Sequence, residues 1–393
     1  MTHPRIPGRR AIPAALAALG LAAAGWLAAP VAGASPARPG PGPVTGGAAE
    51  HVLSQRATLA YWTAARLRSA RPADLIDAGA RPSVRPATAR PAGQAAHVAG
   101  GLPSRAGLAV AAAARRRGGD RGVVPPGQQS AGGSADAFTY PFPYDSFTPP
   151  QSLWKTYPYE VNGKLFFTND GANYVCSATS VASASGTKDE NEIWTAGHCV
   201  VNTEASNQVV DSSAVFIPAY NGNKTLKKNY APFGEFTWTG GWETASAWYS
   251  NRDLTEDEAA MTVRNSSSTG KTLGNAVGWD GFAWNYPVNE QFVAFGYPQA
   301  SPYNGKNLIE DIGATAGQDG ISGGANAVEP IVIGNPMTGG SSGGAWDINW
   351  SDSGPGYING HNDYYYTSQP DALYSPYQDT LSNDVRCFGA TSC

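Results

Sequence analysis

The sequence predicts an all-β fold over residues 135–393, behind a long leader of low complexity. From about Tyr140 onward, short apolar and aromatic stretches alternate with clusters of Gly, Asn, Asp and Pro. Such alternation is typical of many short strands joined by turns. No helical periodicity is sustained across this part of the chain, so a β-sandwich or β-barrel follows. Its length also allows two small barrels, each with its own core.

The clearest strand candidates combine β-branched or aromatic residues with turn-forming residues on either side, a pattern that suits a half-buried pleated surface. They are Lys164–Thr168, Glu192–Thr195, Ala214–Ile217, Glu290–Phe295 and Glu329–Ile333.

Charge divides the chain near residue 135. Residues 1–134 contain sixteen arginines, no lysine and four acids, whereas the remainder contains eleven basic and twenty-seven acidic residues. The acidic downstream part argues against a nucleic-acid partner. The basic leader is expected either to be attracted to the acidic domain or to be an unattached basic tail, and both interpretations stay open.

The first 34 residues have the pattern of a signal peptide. Three arginines within the first ten residues precede an apolar run over 11–29, and Val31-Ala-Gly-Ala34 follows as an A-x-A-like cleavage site. An uncleaved membrane anchor is the alternative, but the run is alanine-rich and is broken by Pro13 and Gly20. We therefore expect a secreted, extracellular protein with no stable membrane association after processing.

The leader over residues 35–134 is rich in Pro-Gly runs and Arg-Pro repeats, a composition that buries too little apolar surface to offset chain entropy. Most of it is predicted to be disordered. The exception is 50–71, where apolar residues at three- and four-residue spacing predict one helix. Arg115-Arg-Arg117 is either a cleavage site or an incidental charge run.

Four cysteines, an even number, predict disulfides in an exported chain. Three pairings are possible, and the short separations favour Cys176 with Cys199 and Cys387 with Cys393. No CxxC motif occurs, and only two histidines lie downstream of residue 135. The spacing therefore does not predict a zinc site, and we expect no metal and no cofactor.

A glycine-rich stretch, Asn335-Pro-Met-Thr-Gly-Gly-Ser-Ser-Gly-Gly-Ala-Trp346, sets Ser342 among four glycines. Such a loop can present a hydroxyl beside converging backbone amides. The alternative is a flexible Gly/Ser linker. A histidine base for Ser342 must be His198 or His361. His198 follows a strand-like run in Trp194-Thr-Ala-Gly-His-Cys199, beside a cysteine that can be tied to Cys176.

These two motifs, in this order, resemble those of the chymotrypsin-like (trypsin-like) serine peptidases, and most of all the secreted bacterial branch related to glutamyl endopeptidases. The resemblance covers roughly Tyr157 to Trp346. It implies two antiparallel six-stranded β-barrels, over 135–270 and 271–393, with the active site in the cleft between them. It also implies a monomeric serine endopeptidase acting on peptides or proteins, with its own leader as a further partner. The leader matches more loosely, through Tyr61-Trp-Thr and residues 66–72.

The resemblance assigns roles by residue. His198 takes the proton of Ser342, a buried aspartate orients the imidazole, and the N–H groups of Gly340 and Ser342 form the oxyanion hole. Asp257 is the preferred aspartate because it enters an apolar strand, and Asp253 is the runner-up. The other candidates between His198 and Ser342 include Asp211 and Asp280.

Three positions bear on activation and specificity. Ser341 stands where many relatives carry an aspartate that binds the freed N-terminus, which puts that activation switch in doubt. Pro336 lies six residues before Ser342, where an acid would favour cleavage after Lys or Arg. A glutamyl preference requires a histidine in the primary pocket, and His361 is the candidate. A surface-loop histidine is the alternative.

Other function classes remain open from the sequence. Gly340-Ser-Ser-Gly-Gly344 also satisfies the GxSxG pattern of α/β-hydrolase esterases, but the turn-rich stretch after it does not predict the helix that this fold needs. A secreted β-rich binding module that uses exposed aromatic residues, or an inactive peptidase homologue, is the second alternative.

Overall fold

The computed structural model describes residues 44–49, 51–73, 76–79, 81–88, 93–104, 138–184, 191–202, 208–210, 213–321, 328–352 and 354–388. The predicted signal peptide lies outside these residues, as do Asp211, Cys393 and the basic run at 115–117. None of the helices within these ranges is both long enough and apolar enough to cross a membrane.

The leader forms short elements. These are β1 (Val44–Ala48), α1 (Gln55–Tyr61), α2 (Ala64–Ser69), β2 (Arg71–Pro72), β3 (Ile76–Asp77), β4 (Val84–Arg85) and β5 (Ala96–Val98).

Two short helices take the place of the single helix predicted over 50–71. The Ser54 side chain accepts a hydrogen bond from the Ala57 N–H and caps α1, and Thr63 caps α2 through the Arg66 N–H. Because an N-cap residue is not helical, Thr63 starts a new helix and does not extend the first one. The apolar spacing predicts helical structure here, and the structure has it. The spacing does not show that Thr63 caps a second helix and so divides the predicted one.

The middle of the chain folds into a closed antiparallel barrel. The elements of this part of the chain are β6 (Tyr144–Phe147), β7 (Asn162–Asn169), β8 (Ala172–Ser180), β9 (Glu192–Thr195), β10 (Val201–Asn202), β11 (Gln208–Val209), β12 (Ala214–Pro218), α3 (Lys227–Tyr230), β13 (Phe236–Ala245), α4 (Ser246–Asn251), β14 (Ala259–Val263) and α5 (Leu273–Val277). Of these strands, β6, β10 and β11 lie outside the barrel.

Six of these strands, in the order β13-β12-β7-β8-β9-β14, close the barrel through a β13–β14 pairing. Side chains alternate as the pleat requires. On β7, Leu165 and Phe167 belong to the barrel core, while Phe166 packs in a different cluster with Val175 and Ile217. The predicted all-β fold with a six-stranded antiparallel barrel is therefore confirmed.

The last part of the chain forms a second sheet. Its elements are β15 (Gly281–Trp284), β16 (Gln291–Gly296), β17 (Ile309–Asp319), β18 (Ile331–Gly334), β19 (Ala345–Ile348), β20 (Tyr357–His361), β21 (Tyr364–Tyr366), β22 (Gln369–Ser375) and α6 (Thr380–Arg386). The strand order is β21-β22-β18-β17-β16-β19-β20-β15, and no pairing between the residues described closes it.

Leader strands extend both sheets. β1 pairs with β13, β2 with β8, β3 with β21, β4 with β17 and β5 with β15. These leader segments are more ordered than their composition predicts. Each one is too short and polar to form a core alone, but each completes the backbone hydrogen bonds of a strand that already exists.

Candidate active site

His198 lies where β9 ends, in a single 3₁₀ turn over Gly197–Cys199. The neighbouring Cys199 forms a disulfide with Cys176 of β8, so the predicted first bridge is confirmed. The bridge ties this turn to the barrel wall and restricts the backbone that carries the imidazole. The predicted second bridge involves Cys393, which lies outside the described residues.

Asp257 approaches His198 from the adjacent strand. It stands between a 3₁₀ turn over Leu254–Glu256 and β14, and β14 pairs with β9 so that Ala259 lies opposite Thr195. This register brings the Asp257 carboxylate to the imidazole. Its Oδ2 accepts from His198 Nδ1 at 2.8 Å, and its Oδ1 accepts from the His198 backbone N–H at 2.7 Å.

The other predicted carboxylates have different contacts. Asp253 caps the 3₁₀ turn, because its side chain accepts from the Thr255 N–H at 3.0 Å and from the Thr255 hydroxyl at 2.8 Å. Asp280 is buried, and its carboxyl is hydrogen-bonded to the carboxyl of Asp347. Asp257 is therefore the candidate that the structure brings to His198.

A second carboxylate, which the sequence reading missed, also faces the imidazole. Asp363 Oδ1 lies 3.4 Å from His198 Nδ1, and the Asp363 side chain is 0% exposed. The Asp363 carboxyl is also hydrogen-bonded to Asp257. Asp363 lies two residues after the end of the buried strand β20 and directly before β21. In the sequence, the polar run Asn359-Gly-His-Asn-Asp363 was the feature that could have indicated this carboxylate.

The charges of this cluster follow from its burial. Burial raises the pKa of Asp363 well above its usual range, and the negative charge of Asp257 raises it further. Burial lowers the pKa of His198, but the two neighbouring carboxylates outweigh burial and raise it. Two carboxylates in one buried site cannot both ionise easily. Asp363 is therefore the carboxyl that holds its proton to a higher pH than usual, and Asp257 contributes most to the raised pKa of His198.

The glycine-rich loop packs on the strand that carries His198. The Ser177 N–H of β8 donates to the Ser342 carbonyl at 2.8 Å, and the Gly343 N–H donates to the Asn362 carbonyl at 2.8 Å. A Cβ on Gly343 would lie 2.1 Å from Thr195 Oγ1. This contact leaves no room for a side chain, so the loop can approach β9 only with glycine at 343.

The hydroxyl and the imidazole nitrogen that catalysis would use are both buried. Ser342 is 0% exposed, and the His198 side chain is 7% exposed. Within the described part of the chain, neither Ser342 Oγ nor His198 Nε2 has a hydrogen-bond partner. Because Nδ1 carries the proton that Asp257 accepts, Nε2 is left as the basic nitrogen.

Gly340 places a backbone amide beside this serine. Its φ of +95° lies in the left-handed region, where residues other than glycine are strained. The Gly340 N–H donates to the carbonyl oxygen of Ala73, in the leader, at 2.9 Å. The predicted oxyanion donor is thus in contact with a carbonyl group of the chain's own leader.

His361 lies behind Asp257. Its Nε2–H donates to the Asp257 carbonyl at 2.8 Å, and its backbone N–H donates to Ser375 Oγ at 2.9 Å. Burial lowers the pKa of His361 to about 4, so the ring is neutral. In this arrangement it supports the backbone of Asp257. A role for His361 in the primary specificity pocket stays a prediction.

Asn362 connects the site to the serine loop and was also missed. Its Oδ1 accepts from Trp346 Nε1 at 2.8 Å and from Asn335 Nδ2 at 3.1 Å, and its Nδ2 donates to the Phe295 carbonyl at 2.9 Å. Together with the bond from Gly343, these contacts fix both ends of the serine loop.

Two groups of side chains bring metal-ligand atoms within 4.8 Å of one another: Cys176, His198 and Cys199, and His198, Asp257 and Asp363. In the first group the two sulfurs are bonded to each other. In the second, the imidazole already donates to a carboxylate. A disulfide therefore accounts for the first arrangement, and hydrogen bonding accounts for the second.

This chain is similar to solved structures of proteases. No protein-family model and no curated protein matches this sequence. Among solved structures, the protease Anisep from Arthrobacter nicotinovorans is 33% identical over 59% of this chain and 96% of its own, with a TM-score of 0.50. The thermostable serine protease AL20 from an extremophilic microorganism is 28% identical over 60% of this chain and 98% of its own, with a TM-score of 0.50.

A third structure, a Glu endopeptidase in complex with MPD, is 18% identical over 61% of this chain and 94% of its own, with a TM-score of 0.45. At that level the similarity says nothing about the residue that this chain prefers in a substrate.

Proposed function

The chain belongs to the chymotrypsin-like serine proteases, and we propose that it is a secreted endopeptidase whose nucleophile is Ser342. As a serine protease it hydrolyses peptide bonds, so its substrate is a peptide or protein. We further propose which residues are catalytic, that the reaction passes through a covalent acyl-enzyme, and that the protein is secreted.

One observation carries the proposed mechanism: Asp257 binds the Nδ1–H and the backbone N–H of His198, and Nε2 has no hydrogen-bond partner among the described residues. In this arrangement His198 Nε2 takes the Ser342 hydroxyl proton while Oγ attacks the scissile carbonyl carbon. Asp257 stabilises the imidazolium that forms. His198 then gives the proton to the leaving amine, which departs as the C–N bond breaks.

The remaining steps use the same groups. The N–H groups of Gly340 and Ser342 bind the negative oxygen of each tetrahedral intermediate. Water then attacks the acyl-enzyme, His198 takes the water proton, and Ser342 leaves with a restored hydroxyl. Every proton passes through His198, which exchanges it with Ser342, the leaving amine or the attacking water, and no cofactor is needed.

Export and processing belong to the same proposal. The N-terminal pattern of basic, apolar and small residues supports secretion, and the basic leader supports synthesis as a precursor. The leader would be removed after export to give the active enzyme.

The proposal is tested by expressing the full chain in a secreting bacterial host and comparing culture medium with cells. We expect casein hydrolysis in the medium and labelling of Ser342 by a serine-directed phosphonate. Ser342→Ala and His198→Ala should each lower hydrolysis by on the order of 10⁴-fold or more, with unchanged melting temperatures.

Each alternative predicts a different result. A binding module or an inactive homologue gives no phosphonate labelling in the secreted, processed protein. An esterase labels at Ser342 but hydrolyses ester substrates and leaves peptides intact. Activity confined to the cell fraction would contradict secretion while leaving the mechanism untouched.

A further inference from the structure

Residues 70–73 and 76–79 of the leader, here called the cleft segment, cross the candidate active site. Ala73 is held there through both of its backbone groups. Its carbonyl accepts from the Gly340 N–H at 2.9 Å, and its own N–H donates to the Val175 carbonyl at 2.9 Å. Val175 lies on β8 next to the disulfide cysteine Cys176. Ala73 is therefore fixed between the oxyanion amide and the edge of the barrel.

On the side of β8, the cleft segment adds a strand to the first barrel. Arg71 and Pro72 pair in parallel with Tyr174 and Val175. The side-chain amide of Gln299 also donates to the Ala70 carbonyl.

A buried ammonium group orients that glutamine. Lys164 Nζ donates to Gln299 Oε1 at 2.8 Å and to the Gly305 carbonyl at 3.0 Å. Lys164 itself is 1% exposed. Because Oε1 is taken by the lysine, the Gln299 nitrogen is turned toward the leader backbone.

On the other side, the cleft segment adds a strand to the second sheet. Ile76 and Asp77 pair in parallel with Tyr364 and Tyr365, and the Ala78 N–H donates to the Tyr365 carbonyl at 2.9 Å. The Ile76 side chain packs against the cluster that contains Tyr364. This strand begins directly after Asp363, so the contact adjoins the His198 cluster.

The leader helices anchor the cleft segment from its N-terminal side. Trp62, Leu67 and Ala70 are buried in a cluster with aromatic residues of the protease body, including Trp154 and Phe166. The Trp62 and Phe166 rings are 5.8 Å apart. Burial of large apolar side chains stabilises a docked segment.

A peptide substrate requires the same groups that the leader occupies. Its scissile carbonyl must reach the Gly340 amide. Its flanking backbone needs free strand edges, because extended peptides bind by adding a strand to an exposed edge. The cleft segment takes the amide and both edges at once.

We propose that the edge of β8, the Gly340 amide and the edge of β21 form the peptide-binding surface of this protease, and that the chain's own cleft segment fills it in the precursor. The inference rests on the proposed function. It accounts for the burial of Ser342 and His198, and it makes the leader an inhibitor that must leave before a substrate can bind.

The test measures how fast a serine-directed phosphonate labels Ser342 in the full-length precursor. Ala73→Pro removes the N–H that donates to Val175, and Ile76→Asn removes an apolar contact with the Tyr364 cluster. We expect each variant to label at least tenfold faster than the wild type. Gly47→Ala is the matched control, because a Cβ there meets nothing within 4 Å on the leader strand β1. It should label at the wild-type rate.

Two outcomes would overturn the inference: a wild-type precursor that labels as fast as the secreted, processed enzyme, or two folded variants that label no faster than the control. Melting temperatures establish that each variant is folded, and Ile76→Asn keeps the test decisive if Ala73→Pro does not fold. A secreted, processed protein that never labels at Ser342 would instead defeat the proposed function.

Discussion

Asp257 holds His198 at two points with one carboxylate. One oxygen fixes the ring through Nδ1, and the other fixes the backbone through the His198 N–H. The imidazole therefore has both its tautomer and its position set by the same group. Asp253, four residues earlier, caps a turn.

Asp257→Asn should lower kcat by roughly 10³–10⁴-fold, because an amide can donate to Nδ1 and so favours the wrong tautomer. Asp253→Asn should leave kcat within about twofold, since asparagine is as good a cap as aspartate. Steady-state hydrolysis of a peptide by the processed variants checks both. The reverse ranking would move the catalytic aspartate to 253.

Asp363 changes the expected dependence of activity on pH. Its raised pKa means that Asp363 holds its proton to a higher pH than an ordinary carboxyl, and that proton can be donated to Asp257. As the pH rises through this raised pKa, Asp363 ionises and two carboxylates face each other. The repulsion should displace Asp257 from His198, so the wild-type kcat/KM should fall at alkaline pH.

Asp363→Asn should remove that alkaline fall and keep kcat/KM near neutral pH within a few fold, because the amide N–H can still donate to Asp257. Asp363→Leu lacks a donor and should lose activity at every pH. The measurement is the pH profile of kcat/KM for the three proteins. If the acidic limb of the kcat/KM profile moves to lower pH in Asp363→Asn, Asp363 is charged in the wild type and the prediction is wrong.

At the scale of elements, the serine loop depends on a backbone conformation as much as on its hydroxyl. Gly340 has a φ of +95°, and a Cβ there would lie 3.1 Å from Gln299 Cβ. A side chain would turn the amide away from the position where the oxyanion forms. Gly171, in the β7–β8 turn, has a similar φ of +73° but open space around it.

Gly340→Ala should lower kcat by on the order of 10²–10³-fold, which is the usual effect of losing one oxyanion donor. Gly171→Ala carries the same kind of backbone strain, about 1 kcal/mol of stability, and should leave kcat unchanged. Comparing kcat and melting temperature for the pair separates the two effects. Equal losses of kcat would indicate general destabilisation and no specific role for the Gly340 amide.

At the scale of the whole molecule, buried carboxyl groups make stability depend on pH. Asp347 is buried against Asp280, and burial raises its pKa to about 8. Burial likewise raises the pKa of Asp311 to about 8. A carboxyl with a raised folded pKa favours the folded state most at low pH. That contribution declines above the unfolded pKa and is lost by the folded pKa.

The free energy of unfolding should therefore fall between about pH 4 and pH 8, by roughly 1 kcal/mol per pH unit for each such group. Asp347→Asn should reduce that slope, because an amide does not ionise. Urea unfolding at several pH values checks this in a Ser342→Ala background, where self-digestion is absent. The exposed Asp170→Asn should keep the wild-type slope, and an unchanged slope in Asp347→Asn would contradict the assignment.

The sequence by itself determined the parts of this protein that depend on neighbouring residues. Alternating strand and turn residues predicted the β fold, and the string around His198 with its adjacent cysteine predicted a base at a strand end and the bridge to Cys176. The glycines around Ser342 indicated a loop of unusual backbone conformation. Each of these signals is local, because strand propensity, turn formation and positive φ are set within a few residues.

Only the tertiary structure decided which carboxylates face His198, because β14 and the β20–β21 junction meet there from distant parts of the chain. The sequence favoured Asp257 over Asp253 but left both open, and the pairing of β14 with β9 is what brings Asp257 to the imidazole while Asp253 caps a turn. The leader is the clearest case. Its composition predicts disorder, yet the leader segments that the structure describes are ordered, because they fill strand edges and an oxyanion amide that exist only after the rest of the chain has folded.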